Sequence, residues 1–186
     1  RDSEAMERLN ELYRKRRSWP QLFDLLSLQV ETLSGPQRIS VLWQLALLAA
    51  DRMPPVDDAT RLYRQLLELD PTRVEVIDAL EKHAERNKDW STLAFVLERR
   101  ADLVLDPTQQ SAILQKLGAV HQEHLHDIES TVRTWRRVLA LQPGHPRALR
   151  VLRDTYLQNN DFDGLTELYA SQADWERLES GFRDLF

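Results

Sequence analysis

The sequence predicts an all-α protein, built as a solenoid of about five helix pairs, and three observations support this prediction. Apolar residues recur every three or four positions through almost all of the 186 residues, as on one face of a helix. Groups of proline, glycine, asparagine and aspartate interrupt that spacing at regular intervals. The apolar pattern also repeats with a period of about 72 residues, which is typical of stacked copies of one structural unit.

The interruptions place the ends of about ten helices, each of about 12–19 residues. Proline is favoured in the first turn of a helix, and an Asp, Asn or Ser before it accepts hydrogen bonds from the free amides. The breaks are, in order, Ser34-Gly35-Pro36, Pro54-Pro55, Asp70-Pro71, Asn87-Lys88-Asp89, Asp106-Pro107, Gln142-Pro143-Gly144 and Asn159-Asn160-Asp161. The five predicted pairs span approximately residues 3–34, 36–71, 73–105, 107–143 and 145–173, and residues 174–186 begin a further helix or form a cap.

The period is carried by similar residues at matching positions. Trp19, Trp90 and Phe162 follow one another at this period, to within a single residue. The same period relates Leu22, Leu93 and Leu165, and also Leu9, Leu80 and Leu152. It likewise relates Leu42 to Leu114, Leu45 to Leu117, Ala59 to Thr131, Tyr63 to Trp135 and Pro71 to Pro143. Each unit is long enough for two helix pairs of about 36 residues.

The two pairs within a unit are of different kinds. Pairs that start near residues 3, 74 and 146 have an aromatic residue at the turn between their helices, and pairs that start near 39 and 111 are marked instead by a proline in the loop after their second helix, Pro71 and Pro143. The second kind resembles the tetratricopeptide repeat, whose pattern is Trp, Leu, Gly and Tyr in the first helix, then Ala, an aromatic residue and Pro. The matching residues are Leu42, Leu45, Ala46, Ala49, Ala59, Tyr63 and Pro71 in the second pair, and Leu114, Leu117, Gly118, His121, Thr131, Trp135 and Pro143 in the fourth. Both of these pairs carry one extra residue between their helices. Asp89-Trp90 and Asp161-Phe162 look like the family's usual turn.

This resemblance covers residue 3 to about residue 173. It implies a right-handed α-solenoid with an open groove along the first helices, and a non-catalytic scaffold or adaptor that binds another protein. The alternation of the two kinds of pair looks like long bacterial arrays. Because the sequence ends on Gly181–Phe186, where Phe182, Leu185 and Phe186 are apolar, without a polar capping helix, we expect either a piece of a longer array or self-association through this end.

The composition excludes several other classes of protein. The five glycines are too widely separated along the chain to form a glycine-rich phosphate loop, and the absence of cysteine excludes disulfides and thiolate metal sites. The net charge of −5 argues against a nucleic-acid partner. No apolar run approaches the roughly 20 residues of a membrane span. We expect no enzyme activity, no cofactor and no membrane span, and a cytoplasmic location with the periplasm as the alternative.

Two short motifs suggest chemistry but have simpler explanations. Three histidines and two acidic residues lie between His121 and Asp127 and are suitable metal ligands. However, His121 falls at an inward-facing position of the repeat, with His124 and His126 at the helix end and in the loop, so no metal site is expected. The basic run Arg14–Arg17 closes a predicted helix, where positive charge complements the helix dipole.

The predicted groove is polar except at one place. Trp43 follows the core residue Leu42 on the inner side of its helix, and Leu47 lies one turn further along. An exposed Trp beside a Leu within a polar rim has the composition of a protein-binding hot spot. The alternative is that Trp43 packs on a neighbouring first helix and completes the core. The whole predicted groove contains Glu7, Glu11, Trp43, Leu47, Asp78, Lys82, Gln115, Arg147 and Arg150.

Two other functions stay open at this point. An RNA-binding helical repeat would need basic and polar residues that recur along the groove, and the acidic Glu7 and Glu11 at its start argue against one. A regulatory repeat region within a larger enzyme is the other. The favoured partner is a segment of another protein, either helical or extended.

Overall fold

The computed structural model describes residues 2–52 and 56–171, and this part of the chain is α-helical without strands. It contains ten α-helices and one short π-helical turn, His121–Leu125. The helices are α1 (Asp2–Arg16), α2 (Trp19–Thr32), α3 (Gly35–Arg52), α4 (Val56–Leu69), α5 (Val74–Asn87), α6 (Trp90–Leu103), α7 (Pro107–Val120), α8 (Ile128–Leu141), α9 (Pro146–Gln158) and α10 (Phe162–Ser171). The predicted all-α fold and the predicted number of helices are therefore confirmed.

The chain forms two compact units, Arg1–Leu93 and Ala94–Phe186, and the boundary falls within α6. Unit 1 contains α1 to α5, and unit 2 contains α7 to α10. Gly181–Phe186 and the further helix or cap expected at 174–186 lie outside the described residues. None of the described helices is long and apolar enough to cross a membrane.

One turn geometry recurs between the helices of the aromatic-turn pairs. After α5, Lys88 adopts the left-handed backbone conformation with φ 57°, and the amide of Asp89 donates to the carbonyl oxygen of Ala84 at 2.9 Å. The carboxylate of Asp89 then accepts a hydrogen bond from the backbone N–H of Thr92 at 3.0 Å, which caps α6. Burial alone would raise the pKa of Asp89, but hydrogen bonds from Thr92 and Ser91 outweigh it and hold the pKa below its ordinary value.

The same turn is present one period later. Asn160 has φ 55°, the amide of Asp161 donates to the carbonyl oxygen of Tyr156 at 2.9 Å, and Asp161 caps α10 through the N–H of Gly164 at 2.8 Å. Asp89 and Asp161 therefore have the same role, because each ends the turn and caps the second helix of its pair.

The extra residue in the fourth pair is accommodated by the π-helical turn His121–Leu125. Within this turn each hydrogen bond spans one more residue than in an α-helix, and the amide of Asp127 reaches the carbonyl oxygen of His121 at 3.1 Å. His126 can then adopt the left-handed conformation with φ 51°, and Asp127 caps α8 by accepting from the N–H of Ser130 at 3.0 Å. That backbone hydrogen bond lowers the pKa of Asp127. One extra residue therefore leaves the capping geometry unchanged.

The buried core positions recur with the repeat, but the sizes of the side chains at matching positions differ. In the second pair Ala46 and Tyr63 are fully buried, and in the fourth pair the matching residues are Gly118 and Trp135, also buried. A methyl group placed on Gly118 would lie 2.7 Å from two atoms of the Trp135 indole. The larger aromatic residue is therefore matched by the smaller residue on the facing helix.

A cap is missing from the first pair, and this leads to a prediction. Arg17 has φ 55° and the amide of Ser18 donates to Tyr13 at 3.0 Å, as in the other aromatic-turn pairs, but the Ser18 side chain makes no capping hydrogen bond. Ser18→Asp should place a carboxylate where it accepts from the N–H of Gln21, and should raise the free energy of unfolding by about 0.5–1 kcal/mol.

The pH dependence provides the check on this prediction. A capping carboxylate with a lowered pKa stabilises the fold above its unfolded-state pKa of about 3.9, and the stabilisation is lost as the pH falls through the folded-state value. Urea unfolding at pH 7 and at pH 3 should therefore show the Ser18→Asp gain only at pH 7. Ser18→Asn should instead raise the free energy of unfolding by the same amount at pH 3 as at pH 7, because an amide cap does not titrate. No gain for either variant would contradict the prediction.

Candidate functional site

The structure places the predicted groove residues of unit 1 on three first helices. Glu7 and Glu11 on α1 are exposed, as is Lys82 on α5, and Asp78 is half-buried. On α3, the side chain of Leu47 is 38% exposed.

Trp43 is half-buried rather than exposed. Its ring centroid lies 6.0 Å from that of Tyr63 on α4, at an angle of 58°. The Arg73 guanidinium, just before α5, lies 5.6 Å from the Trp43 ring centroid. Part of the Trp43 side chain thus supports the packing of α3 against the following helices, which is the alternative that the sequence left open.

Leu47 and Glu7 line a groove between α1 and α3, which residues of α2 also line. The groove consists of two depressions that share Gln44. Met6, Glu7 and Asn10 of α1, the end of α2, and Ser40, Val41 and Gln44 of α3 surround the first. Arg14, Trp19, Gln44, Leu47, Leu48 and Asp51 are among the residues around the second. We call these two depressions together the α1–α3 groove.

A hydrogen-bonded bridge crosses this groove. Arg14 at the end of α1 donates from Nε to Asn10 Oδ1 at 2.7 Å and from Nη2 to Gln44 Oε1 at 2.8 Å. Both contacts are at the surface, so their contribution to stability is small. Their consequence is geometric, since one guanidinium fixes the orientation of two amide side chains on neighbouring first helices.

In unit 2 the predicted groove residues make contacts of their own. Gln115 on α7 donates to the Ser111 hydroxyl at 3.3 Å. The Arg147 guanidinium lies 5.4 Å from the centroid of the Trp135 ring and 3.7 Å from a carboxylate oxygen of Glu123. Arg150 is exposed on α9.

The histidine motif falls where the repeat predicted. His121 is buried, whereas His124 and His126 are exposed. Burial lowers the pKa of His121, although the charge of Asp127 opposes the effect. Across the described residues, no three His, Asp or Glu side chains come together in a way that could hold a metal ion.

Sequence reasoning missed the Arg14 bridge. It assigned the whole basic run to a helix C-terminus, which is correct for Arg14, Lys15 and Arg16 in the last turn of α1, whereas Arg17 lies in the turn that follows. The available signal was the spacing of Asn10 and Arg14, one helix turn apart on the same face, combined with Gln44 at a groove position of the next pair. The hydrogen bond across the helices depends on how α1 and α3 are spaced, which the sequence pattern does not specify.

No protein-family model matches the chain, and no curated protein sequence matches it. Similar solved structures include MamA, with 15% identity, coverage of 94% of this chain and 93% of that chain, and a TM-score of 0.46. A tetratricopeptide repeat protein from Parabacteroides merdae has 12% identity, coverage of 98% and 71%, and a TM-score of 0.48. PilF from Pseudomonas aeruginosa has 19% identity, coverage of 91% and 74%, and a TM-score of 0.41.

The chain's own helix pairs, recurring turn and repeat positions are those of an all-α helical repeat.

Proposed function

We propose that the protein is a non-catalytic scaffold that binds a segment of a partner protein along the first helices of its pairs. In unit 1 the binding surface is the α1–α3 groove together with the exposed edge of Trp43. The observation that carries the proposal is Leu47, a leucine that remains 38% exposed in a depression with polar side chains at its rim. An apolar centre with a polar rim is the usual composition of a protein-binding surface.

The charged groove residues would select the charge of the preferred partner. Glu7 and Glu11 on α1 are exposed, which favours a partner segment with positive charge beside these two residues. Asp78 and Lys82 on α5 are proposed as further contacts within unit 1. The corresponding contacts proposed within unit 2 are Gln115, Arg147 and Arg150.

Leu47→Asp tests the proposal with little risk to the fold. The side chain is exposed, so we expect a melting temperature close to wild type, whereas burial of a carboxylate against an apolar partner group should weaken binding at least tenfold. Leu69→Asp is the matched control, because Leu69 is also exposed, at 48%, but ends α4 rather than lining the groove. The measurement compares proteins retained by wild type and by each variant, followed by Kd determination with the purified partner.

A partner that binds Leu47→Asp and Leu69→Asp equally well would contradict the proposal. Trp43→Ala is a weaker test by itself, since the loss of its contact with Tyr63 should also lower the melting temperature. A Trp43→Ala variant with wild-type stability and wild-type affinity would nevertheless remove Trp43 from the binding surface.

A further inference from the structure

The turn between α1 and α2 shares a left-handed residue and a backbone hydrogen bond with the matching turns of the third and fifth pairs, but not their side-chain hydrogen bonds. In the third pair, Asn87 Nδ2 donates to the carbonyl oxygen of His83 at 2.8 Å. In the fifth pair, Asn159 Nδ2 donates to that of Thr155 at 2.7 Å. Each bond satisfies a carbonyl group in the last turn of a first helix. Arg16 stands at this position in the first pair, and its side chain makes no hydrogen bond to a described residue.

The capping bond of this turn is absent from the first pair as well. Asp89 and Asp161 cap the helices that follow them, whereas the Ser18 side chain makes no capping hydrogen bond. The helix dipole does not require basic residues in exchange, because α9 has none in its last turn. The first pair therefore lacks two hydrogen bonds that stabilise its counterparts, and natural sequences break such local rules mainly at functional positions.

Positive charge takes the place of those bonds. Lys15, Arg16 and Arg17, which we call the basic turn, are exposed. None of the three forms an ion pair with an acidic side chain in the part of the chain that the structure describes. Arg52 at the end of α3 is also exposed, and its guanidinium lies 5.3 Å from the ring centroid of Trp19, the residue that begins α2. A neighbouring helix therefore adds a fourth positive charge at this end of the first pair.

We infer that the basic turn binds a short acidic segment of a protein partner, at a surface separate from the α1–α3 groove. None of the three residues lines either depression of that groove, so this interaction does not depend on the proposed groove contacts. A guanidinium group binds a carboxylate through two parallel hydrogen bonds. Arg16 and Arg17 each supply one such group to the partner's aspartates or glutamates.

The charges along α1 favour a short acidic segment over a longer polyanion. Glu11 and Glu7 lie one and two helical turns before Lys15 and are exposed, and the whole chain has a net charge of −5. A nucleic acid or an anionic membrane carries negative charge over a long distance, so it would be repelled by these two carboxylates as it approached the basic turn. A few consecutive acidic residues are short enough to contact the basic turn alone.

The repeat itself supplies a variant that separates binding from folding. Arg16→Asn/Arg17→Asn gives the first pair the Asn159-Asn160 sequence of the fifth pair. An asparagine at position 16 has the donor for the missing bond to a carbonyl group, and asparagine adopts the left-handed conformation of position 17 more readily than arginine does. We therefore expect the melting temperature to stay the same or to rise by about 2–4 °C.

The probe is a fluorescent synthetic peptide with about six consecutive glutamates, titrated into the intact chain at low salt, with a matched glutamine peptide as the reference. We expect wild type to bind the glutamate peptide at least about tenfold more tightly than the glutamine peptide. Arg16→Asn/Arg17→Asn should weaken binding of the glutamate peptide at least about tenfold, although its fold is as stable as that of wild type.

Arg61→Asn/Lys88→Asn is the charge-matched control. Arg61 and Lys88 are exposed in the same unit, and Lys88 has the same left-handed backbone conformation as Arg17. This double variant changes the net charge by the same amount and should leave the affinity for the glutamate peptide within about twofold.

Three results would overturn the inference. One is equal affinity of wild type and Arg16→Asn/Arg17→Asn for the glutamate peptide, or an equal loss in the two double variants. Another is a lower melting temperature for Arg16→Asn/Arg17→Asn, since the two arginines would then serve the fold. The third is tighter binding of oligothymidylate, or of vesicles that contain phosphatidylserine, than of the glutamate peptide, because the basic turn would then bind a nucleic acid or a membrane instead of an acidic protein segment.

Discussion

Gly118→Ala should destabilise the protein by about 1–3 kcal/mol, the usual cost of one extra methyl group in a well-packed core. The new methyl group would lie 2.7 Å from Cε2 and from Nε1 of Trp135. The Trp135 side chain is fully buried, so the ring cannot move into solvent to relieve the contact. Urea unfolding measures the loss directly, because a substitution that only overfills the core changes the midpoint and leaves the slope unchanged.

The repeat itself provides the compensating change. At the matching positions of the second pair, Ala46 faces Tyr63, and both are fully buried. Gly118→Ala combined with Trp135→Tyr reproduces that combination in the fourth pair. A phenol is accepted in such a site, since Tyr63 is buried at the matching position and its burial raises its pKa to about 12.

We expect the double variant to be more stable than the sum of the two single changes predicts. A favourable coupling energy of at least about 1 kcal/mol is the expected result for residues in direct contact. Ala112→Gly, an exposed site on the same α7, is the control for a change in helix propensity alone, and it should show no coupling to Trp135→Tyr. Strictly additive effects at Gly118 and Trp135 would show that the two residues are not matched in size.

The sequence predicted the helices well because their signals are local. Apolar spacing and breaks such as Asp106-Pro107 depend only on neighbouring residues, and α7 indeed begins at Pro107 with Asp106 as its cap. The repeat period also showed that the fourth pair has one residue more than the aromatic-turn pairs. It did not show where that residue would be placed. The same residues could form either a π-helical turn or a longer loop. The π-helical turn places Asp127 where it accepts from the N–H of Ser130 and caps α8.

The candidate site was less predictable for a physical reason. The position of Leu47 on the inner side of α3 was expected from helix periodicity, and its side chain is 38% exposed in the structure. How far Trp43 is covered depends on Tyr63 and Arg73, which belong to other helices. The orientation of Asn10 likewise depends on the reach of Arg14 to another helix. Such contacts depend on the spacing between helices, and an apolar pattern gives no distance.

Gly164→Ala should lower the free energy of unfolding by about 1–3 kcal/mol, because here too the new methyl group would collide with a buried aromatic ring. A methyl group on Gly164 would lie 2.7 Å from Cε1 of Tyr156 and 2.7 Å from Oδ2 of Asp161. The carboxylate can rotate, but the ring is held, because the Tyr156 hydroxyl accepts a hydrogen bond from Arg136 at 2.7 Å and the side chain is 3% exposed. Thermal or urea unfolding of the intact chain checks the prediction.

The third pair shows which change should suppress this loss. One period earlier in the sequence, Thr92 and Ala84 stand where Gly164 and Tyr156 stand, and the N–H of Thr92 donates to Asp89 at 3.0 Å. A side chain at this capping position is thus tolerated when the facing residue is small.

Tyr156→Ala alone should lower the free energy of unfolding by about 3–5 kcal/mol, as for other buried aromatic residues. In the Tyr156→Ala background, Gly164→Thr should leave the free energy of unfolding unchanged or raise it. The threonine methyl group enters the space that the ring vacated, and the backbone N–H of residue 164 still donates to Asp161. Gly164→Thr could instead lower the free energy of unfolding as much in the Tyr156→Ala background as beside the native tyrosine. The loss would then come from the backbone of α10 rather than from contact with the ring, and the matching of side-chain sizes would not extend to this pair.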